Sequence, residues 1–125
     1  MRYALMVYSD QSAWQDMSEE EAAQAREESM PKWYALFDEL GKADPEVDGK
    51  ELDEATTAKT VRVRDGNVLV TDGPFAETKE QIGGIFEINL PDLDRALALA
   101  AKIPTAEHGT IEVRPIVERE AEAGA

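Results

Sequence analysis

The sequence predicts an α+β fold in the split βαβ arrangement, an antiparallel sheet with both helices on one face. Three observations predict it. Strand-like apolar patterns begin near residues 3, 60, 82 and 111. Two other segments carry apolar residues at helical spacing. The order along the chain is strand, helix, strand hairpin, strand, helix, strand.

In the opening segment Tyr3, Leu5 and Val7 fall on one face and Ala4, Met6 and Tyr8 on the other. Both faces are largely apolar, as in a central strand covered on both sides. Ser18 and Glu21 form a capping box ahead of a helix whose first turn carries Glu19, Glu20 and Glu21 at the positive end of the macrodipole. Met30, Trp33, Phe37 and Leu40 recur at helical spacing and are expected to face the core. Pro31 removes a backbone donor and clashes with the preceding turn, so a kink or break is expected near Ser29 or Met30. Gly41 is the expected stop.

Residues 42–58 are polar and hold Pro45 and Gly49, which reads as a long loop with a short strand around Lys50 to Leu52. Residues 60–64 and 68–71 alternate cleanly around Asp65-Gly66-Asn67, a hairpin turn in which Gly66 takes positive φ. Asp72-Gly73-Pro74-Phe75 breaks the pattern. Residues 82–90 form the next strand, with Gly83 and Gly84 marking a bulge or a close backbone approach. Asp92 caps a second helix with an apolar stripe of Leu93, Ala96, Leu97 and Ala100, ended by Pro104. Residues 111–117 form the last strand, where Pro115 implies a sheet edge or a strand end. The charged tail, residues 118–125, is expected to fray. With no internal repeat or linker, residues 1–125 read as one domain.

Composition narrows the function classes. The chain has 125 residues, and thirteen basic against twenty-seven acidic side chains leave a net charge of −14. For a mass of 13.8 kDa, surface scaling gives roughly 6,600 Å² folded against roughly 20,000 Å² extended, enough burial for a core without staples. There is no Cys and one His, which excludes disulfides, thiolate metal sites, Cys nucleophiles and a His-rich metal site; no metal and no cofactor are expected. The apolar runs are too short for a bilayer span, and the first residues lack the pattern of a secretory leader, so a cytoplasmic protein is expected. The negative charge argues against nucleic acid as a partner.

With the most apolar face of each strand assigned to the helices, the opposite face holds Arg2, Ala4, Met6, Tyr8, Arg62, Arg64, Ile85, Glu87, Glu112 and Arg114. Such a mixed surface calls for a cover, and a second copy of the chain is the economical one. Two such sheets would enclose a cavity lined by Tyr8, Arg62, Arg64, Glu87 and Arg114, a positive island suited to carboxylate or phosphate. The alternative is that Arg62 and Arg64 pair across strands with Glu87 and Glu112. Both readings stand on the sequence.

Asp72, at a strand end before a Gly-Pro turn, is a candidate general base if burial raises its pKa, or a turn cap if its carboxylate binds backbone N–H groups. His108 is a candidate proton shuttle, or a loop His bonded to backbone. Lys79 is placed to meet an anion or a carboxylate. Glu77 and Glu80 read as solvated charges. Trp33 reads as core, and Trp14, outside the periodic pattern, as part of a lid or interface.

The segment Thr71-Asp72-Gly73-Pro74-Phe75-Ala76-Glu77-Thr78-Lys79-Glu80-Gln81-Ile82-Gly83-Gly84 resembles the signature of the DGPF branch of the YCII-related (YciI-like) proteins. Residues 59–66, 91–97 and 108–115 resemble the family's hairpin, second helix start and last strand. The resemblance implies a ferredoxin-like α+β fold that dimerises into an α+β barrel. It also implies, from the wider group, a His–Asp pair in a cleft. The first helix of this chain contains no His, and His108 is its only one, so that pair does not carry over. The DGPF branch is associated with extracytoplasmic-function sigma factors. Two functions are therefore expected to compete. One is binding of a small anionic molecule in a homodimer cavity, with a metal-free acid–base step of lyase or isomerase type. The other is a non-catalytic accessory role, with the acidic first helix bound to a protein partner such as a sigma factor.

Overall fold

The computed structural model describes residues 1–119. The elements are β1 (Arg2–Ser9), α1 (Ser12–Gln15), α2 (Glu19–Ala43), β2 (Asp48–Glu51), β3 (Lys59–Arg64), β4 (Asn67–Asp72), β5 (Gln81–Asn89), α3 (Leu93–Ala100) and β6 (Thr110–Pro115). Short 3₁₀ turns occupy Ala55–Thr57 and Pro104–Glu107. Residues 120–125 of the tail expected to fray lie outside the described residues.

One antiparallel sheet has the order β2-β5-β1-β6, and β3 and β4 form a separate two-stranded sheet. The α+β class and the split βαβ arrangement hold, with β1 central, in a form consistent with a ferredoxin-like fold. One assignment is corrected. The strand that completes the main sheet is the short β2, not the first strand of the hairpin, and the hairpin is inserted between β2 and β5. The short strand expected around Lys50 to Leu52 is found at Asp48–Glu51, but it contains no large apolar residue, so alternation could not reveal that it joins the main sheet. It is held by main-chain pairing along β5, from Asp48 opposite Glu87 to Glu51 opposite Gly84.

Tyr3, Leu5 and Val7 of β1 and Ile88 of β5 pack with Leu36 and Leu40 of α2, with Ala96 and Leu99 of α3, and with Ile103. Both helices therefore cover one face of the sheet. The α2 stripe is offset from expectation. Leu36 and Leu40 are buried and Trp33 packs beside them, whereas Phe37 is exposed at the rim, within ring contact of Phe86. In α3 the buried positions are Ala96, Leu99 and Ala100, and Leu93 and Leu97 lie outside. In a helix of only 8 residues, a rotation of about 100° per residue turns one apolar stripe into another.

Ser18 caps α2 in a complete capping box, as expected. The helix runs through Pro31 without a break. The missing hydrogen bond is a local cost, and the burial of Leu36 and Leu40 one and two turns later carries the helix onward. Gly41 does not stop it. The stop comes at Asp44, where the following Pro45 disfavours helical geometry, and Asp44 takes φ −150°. Asp65 and Gly66 both have positive φ (53° and 77°) and form the two-residue hairpin turn. The register between β1 and β5 slips after Val7, so that Gly83 is the bulge and Tyr8 faces Ile82. Pro115 ends β6, an edge strand.

Candidate functional site

The sheet face away from the helices is built in rows. Asp48, Glu87, Ala4 and Arg114 share one row, and Lys50, Ile85, Met6 and Glu112 the next. Ile82, Tyr8 and Thr110 close it at one end. Alternation along β1 puts Ala4, Met6 and Tyr8 on this face because Tyr3, Leu5 and Val7 are committed to the core. The result is an apolar band of Ala4, Met6, Ile82 and Ile85 with charged residues on both flanks.

The charges pair within the face. Arg2 Nη2 donates to Glu87 Oε1 at 2.7 Å, and this pairing raises the Arg2 pKa further. Lys50 pairs with Asp48 at 3.1 Å. Glu112 accepts from two sides: the Tyr8 hydroxyl donates to Oε1 at 3.3 Å, and Arg114 Nη2 to Oε2 at 3.2 Å. Partial burial, reinforced by the Glu112 carboxylate, raises the Tyr8 pKa above its ordinary 10.0, so Tyr8 stays a hydrogen-bond donor at neutral pH.

Of the residues singled out from the sequence, Tyr8, Glu87 and Arg114 lie on this face. Arg62 and Arg64 do not. They belong to β3, in the separate hairpin. The expectation of a shared positive island is corrected, because three cations (Arg2, Lys50, Arg114) meet three carboxylates (Asp48, Glu87, Glu112) on the main sheet. Nor do Arg62 and Arg64 pair with Glu87 and Glu112. Their places are taken by Arg2 and Arg114.

Asp72 sits at the hairpin base with its side chain 88% exposed and bound to Lys59 Nζ. It is neither buried nor a turn cap. The His108 side chain is exposed and makes no hydrogen bond to the described residues, while its backbone N–H donates to Thr105 O. Lys79 is exposed on the loop from 73 to 80, and its charge helps to lower the Asp10 pKa, behind the hydrogen bonds from Ser12. That loop borders the Tyr8 end of the face. Glu80 Oε1 accepts from Thr110 Oγ1 at 2.7 Å, and Gln81 Nε2 donates to Ala76 O and Thr78 O.

Glu112 is the functional candidate undervalued from sequence alone. It appears there as a member of the face and as a pairing partner, not in the cavity lining, and its position between Tyr8 and Arg114 depends on the β1–β6 register, which places Met6 opposite it. Among the described residues, no three His, Cys, Asp or Glu side chains are grouped to hold a metal ion. A hollow of about 340 Å³ lies beside Met1 and Pro115–Glu118, and one of about 300 Å³ between α2 and the second 3₁₀ turn. Neither includes Tyr8, Glu112 or Arg114.

The family model of the YCII-related domain matches residues 1–120. The chain belongs to the YCII-related family. This YCII-related chain is also 36% identical, over 118 residues, to an uncharacterised protein of Rhizobium meliloti (strain 1021), with 93% of this chain and 92% of the relative covered. The family match spans the sheet, both helices that pack on it and the inserted hairpin, so the whole open face falls within the YCII-related domain.

Proposed function

We propose that this YCII-related protein, of the DGPF branch, binds a small anionic molecule on the open sheet face, in a cavity closed by a second copy of the chain. One observation carries the reading. The hydrogen-bonded set of Tyr8, Glu112 and Arg114 stands beside an apolar band on the sheet face opposite the two helices. Arg114 commits one N–H group to Glu112 and keeps others for a carboxylate or phosphate. Tyr8, held protonated, has a single O–H and turns it from Glu112 to the same ligand on binding. Should a proton-transfer step follow, Glu112 is the base and Tyr8 the acid, since both touch the same space. Arg62, Arg64, Asp72 and His108 have no part in the single-chain site.

Thermal denaturation with a panel of carboxylates and phosphates tests this. At least one anion is expected to raise the melting temperature of the wild type and to have no effect on Arg114→Ala. A wild type that no anion stabilises overturns the reading.

A second reading, a non-catalytic accessory protein, has its own observation. The first three turns of α2, with Glu19, Glu20, Glu21, Glu27 and Glu28, bury no side chain fully. They present acid to a basic protein partner such as a sigma factor. Salt-sensitive co-purification of such a partner, lost on replacing these five Glu residues with Gln, would favour it.

A further inference from the structure

The β3–β4 hairpin is built for contact with something outside its own chain. The register places Val61 opposite Val70 and Val63 opposite Val68, so the four valines form one face. Each is between 58% and 67% exposed. The two strands pack on each other and have only marginal contacts with other elements. The base is fastened, with Gly73 N–H donating to Ala58 O and Thr60 Oγ1 to Gly73 O, both at 2.7 Å. The rest projects. A two-stranded hairpin standing alone in water is marginally stable, so this one needs a surface to lie against.

We propose that the hairpin is a dimerisation arm whose valine face packs on a second copy of this chain. Charge favours that occupant. Residues 59–72 hold Lys59, Arg62 and Arg64 against Asp65 and Asp72, a net +1 in a chain of −14. The arm therefore complements the acidic remainder of another copy. Area favours it as well. The chain exposes 9051 Å², on the order of 2,000 Å² more than a compact monomer of its mass. Two reciprocal arms bring several hundred Å² of aliphatic surface, and the apolar bands of the open faces bring the remainder of the roughly 1,200–2,000 Å² that a stable interface buries. Arg62 and Arg64 then lie along the partner rather than on their own sheet. The arm shares with the proposed function only the requirement for a second chain; it does not depend on a ligand.

Sedimentation equilibrium of the full chain tests the arm. The wild type is expected to be a dimer. The double variant Val63→Asp/Val68→Asp, which changes no residue buried in the single chain, is expected to keep its far-UV circular dichroism and to dimerise at least about 30-fold more weakly. Val63→Thr/Val68→Thr keeps the β-branched shape and serves if aspartate disturbs the hairpin. It is expected to weaken the dimer to a lesser extent. A folded variant that dimerises as tightly as the wild type overturns the arm while leaving a dimer through the open faces intact. A monomeric wild type assigns the valine face to another occupant and overturns the arm outright.

Discussion

The carboxylate of Asp44 accepts a hydrogen bond from the backbone N–H of Asn89 at 2.9 Å, joining the end of α2 to the last residue of β5. It also accepts from Glu46 N–H at 3.0 Å. These two bonds hold the Asp44 pKa below its ordinary 3.8. Replacing Asp44 with Ala is expected to cost about 1 kcal/mol, since the bonds are solvent-exposed. Because the folded pKa is the lower one, the contribution is complete above the unfolded value. It is lost as pH falls through the folded value. Urea unfolding of wild type and variant should therefore differ by a constant amount from about pH 5 to 8 and converge below about pH 4. A difference that persists undiminished in acid would contradict this account.

The two helix caps are expected to behave differently. Asp92 accepts from Arg95 N–H at 2.8 Å and starts a helix that carries Ala96, Leu99 and Ala100 into the core. Its replacement by Ala should lower global stability by about 1 kcal/mol. Ser18 accepts from Glu21 N–H at 3.1 Å, but the turns it caps bury no side chain fully. Ser18→Ala should speed amide exchange in residues 19–25 and leave the unfolding midpoint nearly unchanged. An equal loss of midpoint in both variants would show that the first half of α2 is part of the cooperative core.

What was legible in the sequence follows the reach of each signal. Period-two alternation in β1 and β6, the capping box at Ser18, the cap at Asp92 and the turn at Asp65-Gly66 are local, and each is found in place. The open face was legible wherever a strand has its own apolar alternation, as for Met6, Tyr8, Ile85 and Arg114. It was misread at Arg62 and Arg64, because the hairpin alternates as cleanly as any sheet strand. Alternation shows which residues share a face, not which sheet the strand joins. Asp48–Glu51 had the converse problem: it pairs through its backbone along β5 and carries no apolar signature of its own. The stop at Asp44 was legible in principle, since it needs only the geometry that Pro45 imposes.

Gly109 is placed by a close approach rather than by its φ angle. A Cβ there would sit well inside van der Waals contact of the Tyr8 carbonyl oxygen and 3.0 Å from Thr105 Cγ2. The Gly109 N–H donates to Thr105 O at 2.6 Å, so the segment cannot retreat without losing that bond. Gly109→Ala is expected to cost about 2 kcal/mol by forcing β6 away from β1 at the Tyr8 end. Amide exchange of Tyr8 and Thr110 should rise more than that of Leu5 and Val113. Uniform exchange across β6 would mean that the strain is absorbed elsewhere.

Tyr8 offers a direct readout of the site. Its ionisation is shifted upward first by partial burial and second by Glu112, which opposes a phenolate charge nearby. The folded value lies above the unfolded one, so the contribution to stability is fully present below about pH 10 and declines as pH rises through the folded value. In ultraviolet titration, Tyr8 should ionise at higher pH than an exposed tyrosine, and the Tyr8→Phe variant identifies its signal by difference. Glu112→Gln should lower the Tyr8 midpoint only in part, because burial remains. Arg114→Ala should raise it, because the guanidinium charge favours the phenolate. A full return to the ordinary value in Glu112→Gln would make the carboxylate, rather than burial, the main cause. An unchanged midpoint in both variants would mean that Tyr8, Glu112 and Arg114 do not act as one cluster in solution.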